Sequence, residues 1–161
     1  MRKIRNTYRK PRKPWDKARI EEEKKLMKKY GLRRKKEIWR AEALLRSFRQ
    51  RARNLSAKRN EEEEKKLLDK LYRLGLLEKG AKLNDVLSLT VEDILERRLQ
   101  TIVAKKGLAN TPKQARQYIV HGHIGINGRR IKFPGMLVTR DVEDKISYYN
   151  FEPKLRVSVD E

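Results

Sequence analysis

Apolar side chains recur at three-to-four spacing along residues 16–119, and from Ile124 the period drops to two. The first pattern marks amphipathic helices, the second a half-buried strand. Asp16 predicts an N-cap, and Glu21, Glu22 and Glu23 favour the first turns after it through the helix macrodipole. Ile20, Leu26, Met27 and Tyr30 give this helix a thin apolar stripe, and Gly31 suits its C′ position. Ile38, Ala41, Leu45, Phe48 and Ala52 define the buried face of a second helix. Asn60 precedes Glu61, Glu62, Glu63 and Glu64, acids at the start of a third helix, with Glu61–Lys65 and Glu62–Lys66 as i,i+4 pairs and Leu67, Leu68, Leu71 and Leu74 as its stripe. The three helices predict an antiparallel or irregular bundle. Residues 75–89, with Gly75, Gly80, Asn84 and Asp85, predict a connection.

Thr90 and Asp93 form a capping-box variant, with Leu89 and Ile94 as the hydrophobic staple. Val91, Leu95, Leu99, Ile102 and Val103 predict the buried face of one helix that ends at Gly107. Thr111 followed by Pro112 opens the next, packed through Ala115, Tyr118 and Ile119. Ile124 and Ile126 then alternate with polar positions up to Asn127-Gly128, the strongest short hairpin signal. Further short strands are predicted at Met136–Thr139 and Lys145–Tyr148. The fold class is α+β: a basic N-terminal arm (1–14), a helical bundle region (15–90), a small helix-helix-hairpin module with a short antiparallel sheet (91–149), and an acidic C-terminal tail (150–161).

Charge decides what this frame is for. The 161 residues carry a net charge of +21, an electrostatic footprint for polyanions. It is unevenly placed. Residues 1–60 hold 24 Lys and Arg against 6 Asp and Glu, a net of +18, while 61–90 hold 6 against 7. Residues 91–140 are +7 and 141–161 are −3. Residues 1–14 contain two prolines and seven basic side chains and lack the apolar residues of a core. They read as an arm that follows phosphates, the alternative being a solvated tail.

The candidate nucleic-acid contacts are the cations and polar groups of the predicted solvent faces. In the arm they are Arg2, Lys3, Arg5, Tyr8, Arg9, Lys10, Arg12 and Lys13; in the helical region, Arg33, Arg34, Lys35, Lys36, Arg40, Arg46, Arg49 and Arg53. In the module they are Arg97, Arg98, Thr101, Lys105, Thr111, Lys113, Gln114, Arg116, Gln117, His121, His123, Asn127, Arg129, Arg130 and Lys132. Amides at the Thr111 helix start add partial positive charge that suits phosphate. Tyr8 and Trp39 are placed to stack on bases; burial beside Ile38 is the alternative for Trp39.

Catalytic and metal chemistry find little support. There is no Cys, only two His, and no Ser–His–acid or phosphate-loop pattern. Consecutive glutamates at 61–64 point in different directions around a helix and do not converge on one ion. His121 and His123 lack a third ligand in a fitting pattern. No cofactor is implied. The longest apolar runs fall far short of the ~18 residues of a membrane span, and the charged Met1–Arg5 start lacks the apolar run of a secretory signal, so a cytoplasmic protein is expected.

The segment from Arg98 to Ile131 resembles the S-four RNA-binding module, through Arg98-Leu99, Gly107–Ala109, Ala115–Gln117, His121–Ile124 and Asn127-Gly128 at matching spacing. Upstream, the stretches starting at Pro11, Lys28 and Asp85 resemble the archaeal and eukaryotic branch of the S-four family of small-subunit ribosomal proteins, so that the resemblance covers roughly residues 5–150. Other members carry a cysteine cluster near the N-terminus; the lack of Cys means that this metal site does not carry over. The resemblance implies a structural, non-enzymatic protein that binds the 5′ domain of small-subunit ribosomal RNA and nucleates subunit assembly. It implies ribosomal protein S-five and other small-subunit proteins near the messenger-RNA entry as neighbours, and a contribution to translational accuracy. Two alternatives are a free-standing S-four-type factor in RNA processing or ribosome rescue, and an RNA-modifying enzyme or its accessory; such an enzyme needs a further catalytic domain, for which 161 residues leave no room.

Overall fold

The computed structural model describes residues 7–58 and 60–150. Arg2, Lys3, Arg5 and the tail beyond Asn150 lie outside the described residues. Among the described residues the chain runs α1 (Lys17–Lys29), α2 (Lys36–Lys58), α3 (Glu61–Arg73), α4 (Leu83–Ser88), α5 (Val91–Glu96), α6 (Leu99–Lys105), α7 (Pro112–His121), β1 (Ile124–Ile126), β2 (Arg129–Arg130), α8 (Arg140–Glu143) and β3 (Ile146–Tyr148). No helix among them is long and apolar enough to cross a membrane.

Two apolar clusters organise these elements. The first joins Tyr30 and Leu32 to Ile38, Leu45, Phe48, Leu67, Leu71, Val86 and Leu95, and α2 is its centre, packing on α3, α4 and α5. Its spacing of buried residues, Ile38, Ala41, Leu45, Phe48, Ala52 and Leu55, extends the predicted stripe by one turn. The second joins Leu99, Ile102, Val103, Ala115, Ile119, Ile124, Val138 and Ile146, with α6 packed on α7. Each fully buried Leu or Ile contributes about 1.5–3 kcal/mol by leaving water.

The end signals of most helices work as predicted. The Asn60 side chain accepts from Glu63 N, the side chains of Thr90 and Asp93 each accept from the other's backbone N–H, and Thr111 accepts from Gln114 N with Pro112 at the first helical position. Asp16 takes the N-cap position of α1 but its side chain makes no cap bond. In the expected connection 75–89 the structure forms α4, whose start is closed by Lys82 N donating to Asp85 Oδ2 at 2.7 Å. The sheet is antiparallel in the order β2-β1-β3, with Gly125 opposite Arg130 and Ser147. Its hairpin turns on Asn127 (φ 53°) and Gly128 (φ 71°), the double positive φ that a two-residue type I′ loop requires.

Two further expectations are corrected. The single helix predicted to end at Gly107 is broken between α5 and α6. Arg98 is extended (φ −76°, ψ 142°) and pairs with Leu137 in an isolated antiparallel bridge. Val138 N donates to Arg97 O at 2.9 Å and Leu99 N to Met136 O at 2.8 Å, so the returning chain satisfies groups the break would orphan. The strand expected at Met136–Thr139 is reduced to this bridge. The break redirects the chain, so Leu95 stays in the first core while Leu99 begins the second.

Candidate nucleic-acid interface

The seam between the two cores is held by side chains that the sequence presents as phosphate ligands. Glu37 Oε2, at the start of α2, accepts from Arg98 at 2.5 Å and Arg116 at 3.1 Å. Burial pushes the Glu37 carboxyl up, but the two guanidiniums outweigh it and hold it below the ordinary carboxylate value. Beside it the buried Gln100 amide donates to the carbonyls of Tyr30 (3.1 Å), Gly31 (2.9 Å) and Pro112 (2.9 Å). Gly31 is required here: its φ is +59°, and a Cβ would stand 2.9 Å from Lys113 N in the first turn of α7. On another side Arg97 donates to Val138 O and Glu143, and Arg140 donates to Leu77 O while covering the Tyr72 ring at 4.6 Å. Glu92 ties α5 to α1 by accepting from Lys29 and from the Tyr30 hydroxyl. Burial, then this bond, raises the Tyr30 phenol to about 12.

Several of the expected RNA contacts are engaged within the protein itself. Thr101 is buried and its hydroxyl donates to Leu95 O at 2.7 Å, inside the break. Arg98 is 6% exposed. Arg97 and Arg116 are mostly covered by the partners just named. Arg49 donates to Leu89 O at 2.5 Å, closing the α4–α5 connection onto α2. Gln114 caps α7, accepting from Asn110 N and donating to the Tyr118 hydroxyl, and Thr111 Oγ1 is occupied by Gln114 N. Lys35 pairs with the buried Glu23 at 2.9 Å, and Lys105 with Glu96 at 3.0 Å. Trp39 is half-buried and donates Nε1 to Glu23, deciding its two alternatives for packing. Tyr8 lies against it, ring centres 5.9 Å apart, with Lys36 Nζ 5.9 Å from the Tyr8 centroid. Glu23, expected only as a helix-start acid, is the centre of this packing. Burial pushes its carboxyl up; Trp39, Lys35 and Arg19 together hold it lower.

Other predicted cations do face solvent. Arg9, Lys10, Arg12, Lys13, Arg33, Arg34, Lys36, Arg40, Arg46, Arg53, Lys113, Arg129, Arg130 and Lys132 are exposed, as are Gln117, His121 and Asn127; His123 is half-buried. Arg33, Arg34, Lys36 and Arg40 line one open cleft of about 550 Å³ at the seam, completed by Arg98, Arg116 and residues 133–136. A second groove, between α2 and α3, places Arg51, Lys58, Lys66 and Lys70 around Leu55 and Leu67 with one acid, Glu63. The expected Glu61–Lys65 and Glu62–Lys66 pairs do not close into ion pairs among the described residues. Lys66 and Lys70 were thus missed as surface donors because helix spacing assigned Lys66 to a glutamate. Phe133 (73% exposed) and Trp15 (87%) were missed as well. Among the described residues no group of three or more His, Asp or Glu is placed to hold a metal ion.

A two-core block, basic over its outer faces and ending in a helix-helix-hairpin unit, has the charge and architecture of a nucleic-acid-binding protein. Residues 97–146 match the S4 domain, and residues 2–96 match the ribosomal protein S4/S9 N-terminal domain. The boundary between these two matches falls at the α5–α6 break. The chain is 52% identical over 155 residues to the small ribosomal subunit protein uS4 of Methanothermobacter thermautotrophicus, spanning 94% of this chain and 91% of that one. It is 56% identical over 155 residues to uS4 of Ignicoccus hospitalis (94% and 93%), and 53% identical over 152 residues to uS4 of Thermoplasma volcanium (91% and 76%). The chain belongs to the uS4 family of ribosomal proteins.

Proposed function

We propose that this chain is a structural component of the small ribosomal subunit, in the cytoplasm, and acts by binding rather than by catalysis. It binds the 5′ domain of small-subunit rRNA, helps to nucleate subunit assembly, and sits beside ribosomal protein S-five near the messenger-RNA entry, where it contributes to accuracy. The observation that carries the binding reading is the segregation of its arginines. One set locks the two cores together, and another stands outward without ion pairs among the described residues: Arg33, Arg34, Arg40, Arg46, Arg53, Arg129 and Arg130. A-form RNA offers phosphates and 2′-hydroxyls over a broad surface while its deep major groove hides the base edges, so a rigid block with many fixed donors suits it. Guanidinium forks supply bidentate phosphate contacts.

Sedimentation of a tagged form in a sucrose gradient, followed by RNA crosslinking, tests this. Co-migration with the small subunit and crosslinks within the 5′ domain are expected. Crosslinks confined to another rRNA domain would refute the placement. Recovery only in ribosome-free fractions would favour the free-standing RNA-binding factor.

A further inference from the structure

We propose that the seam cleft is a nucleotide site, in which one unpaired base of the bound RNA stacks on Phe133 while its flanking phosphates lie on Arg33, Arg34 and Arg40. The inference rests on the rRNA-binding reading and adds the place and chemistry of one contact. Phe133 joins neither core and has no ring partner among the described residues. Its 73% exposure is therefore not explained by packing. The loop that carries it is nevertheless fixed, since Met136 O and Pro134 O accept from Leu99 N and Gln100 N at 2.8 and 3.3 Å. An apolar ring is thus held on rigid backbone at the rim of a cationic cleft.

The cleft is cationic in effect as well as in composition. Its single acid, Glu37, is saturated: Oε2 accepts from Arg98 and Arg116, and Oε1 from the backbone N–H groups of Arg33 and Arg34 at 3.3 and 3.4 Å. No carboxylate among the described residues pairs with the side chains of Arg33, Arg34 or Arg40. They are left for an external anion. The volume of about 550 Å³ lies within the ~300–1,000 Å³ typical of ligand sites. A lone ring cannot stack into a paired duplex, whereas loops and bulges of RNA present bases that can be splayed out onto aromatic side chains. Because the arginines lie on α2 and the stretch just before it and Phe133 on the loop after β2, a nucleotide seated there touches both halves of the chain.

The test uses the full chain with two probes. One is the small-subunit rRNA of Methanothermobacter thermautotrophicus. The other is a single-stranded RNA heptamer with 2-aminopurine flanked by uridines. Wild type is expected to quench the 2-aminopurine on binding. Phe133→Ala should abolish the quench and weaken heptamer binding about 5- to 150-fold, the range of one lost base stack. It should leave the salt slope unchanged, because no phosphate contact is removed. Phe133→Trp should keep both quench and affinity, and Val120→Ala, at an exposed apolar residue on α7, should change neither. An intact quench in Phe133→Ala, or no quench in wild type, overturns the base site. A drop in Phe133→Ala affinity that Phe133→Trp does not rescue also overturns it, by assigning the ring to structure. If wild type fails to bind the rRNA, the rRNA reading itself fails; if it binds and Phe133→Ala is silent on both probes, only the base site does.

Discussion

At the seam, Arg98 and Arg116 converge on one carboxylate of Glu37 and are largely removed from water. On the outer face of α2, Arg40, Arg46 and Arg53 are exposed and form no ion pair among the described residues. The same side chain serves two ends because its surroundings differ. A guanidinium facing a half-buried acid contributes to rigidity and presents less of itself to an outside anion. One that stands outward without an ion pair adds repulsion to the free protein that a bound polyanion would relieve. Net charge therefore overstates the binding surface and understates how firmly the two cores are joined. The largest effects of mutation should lie at the seam and appear as stability, with smaller ones on the outer faces that appear as affinity.

Glu37→Ala is the severest test of that division. It leaves two mostly buried guanidiniums without their acid, and should destabilise the protein by about 3–5 kcal/mol in urea unfolding. A loss under about 1 kcal/mol would show that the seam does not depend on this contact. The same group gives the comparison a pH dependence. Its folded-state value is depressed, so its stabilisation is complete above the ordinary carboxylate value of 4.5 and is lost as the pH falls through the lower folded value. Glu37→Gln should flatten part of the acid-side decline in the urea midpoint below pH 4.5. An unchanged decline would place the acid sensitivity elsewhere, with Glu23 the next group to test.

The contrast between the two sets of arginines was only half legible in the sequence. Local signals were read well, because Asn60, Thr90 with Asp93, Thr111-Pro112 and Asn127-Gly128 act within a few residues of themselves. The seam was not, because its partners are distant in the chain. Glu37 lies 61 residues from Arg98 and 79 from Arg116. The α5–α6 break is dictated by Leu137, so the apolar rhythm from Val91 to Val103 continues through it unmarked. Gln100 offered no sign either, since its three carbonyl partners are brought together by the fold. The exposed cations of α2 and the hairpin were recognised more readily, because amphipathic spacing alone tells which face is outward.

Gly31→Ala probes the same junction through the backbone. The added methyl meets Lys113 N at 2.9 Å, and the left-handed conformation disfavours any Cβ, so a loss of about 2–3 kcal/mol is expected. Thermal unfolding that stays within 2 °C of wild type would mean that α1 and α7 can separate at little cost. Smaller again is the combined change Arg40→Ala, Arg46→Ala and Arg53→Ala. Stability should shift by no more than about 0.5 kcal/mol, since these side chains pack against nothing essential. Affinity for small-subunit rRNA should fall roughly tenfold at moderate salt, with the salt slope reduced by about 2–3. A lost fold with an unchanged slope would reverse the assignment of these three to the outer set.

Thr101→Val gives the mildest of these effects and separates the two sets most finely. Thr101 lies between Arg97 and Lys105 on a regular helical spacing, the position of a phosphate contact if the helix ran unbroken. In the broken helix its hydroxyl instead donates to Leu95 O, a carbonyl at the end of α5, and it is 7% exposed. Valine keeps the shape and removes the donor. The cost should be about 1 kcal/mol of stability, the net value of one buried hydrogen bond. RNA affinity and its salt dependence should not change. If affinity fell while the urea midpoint stayed fixed, Thr101 would return to the contact surface, and the α5–α6 break would have to open when RNA binds.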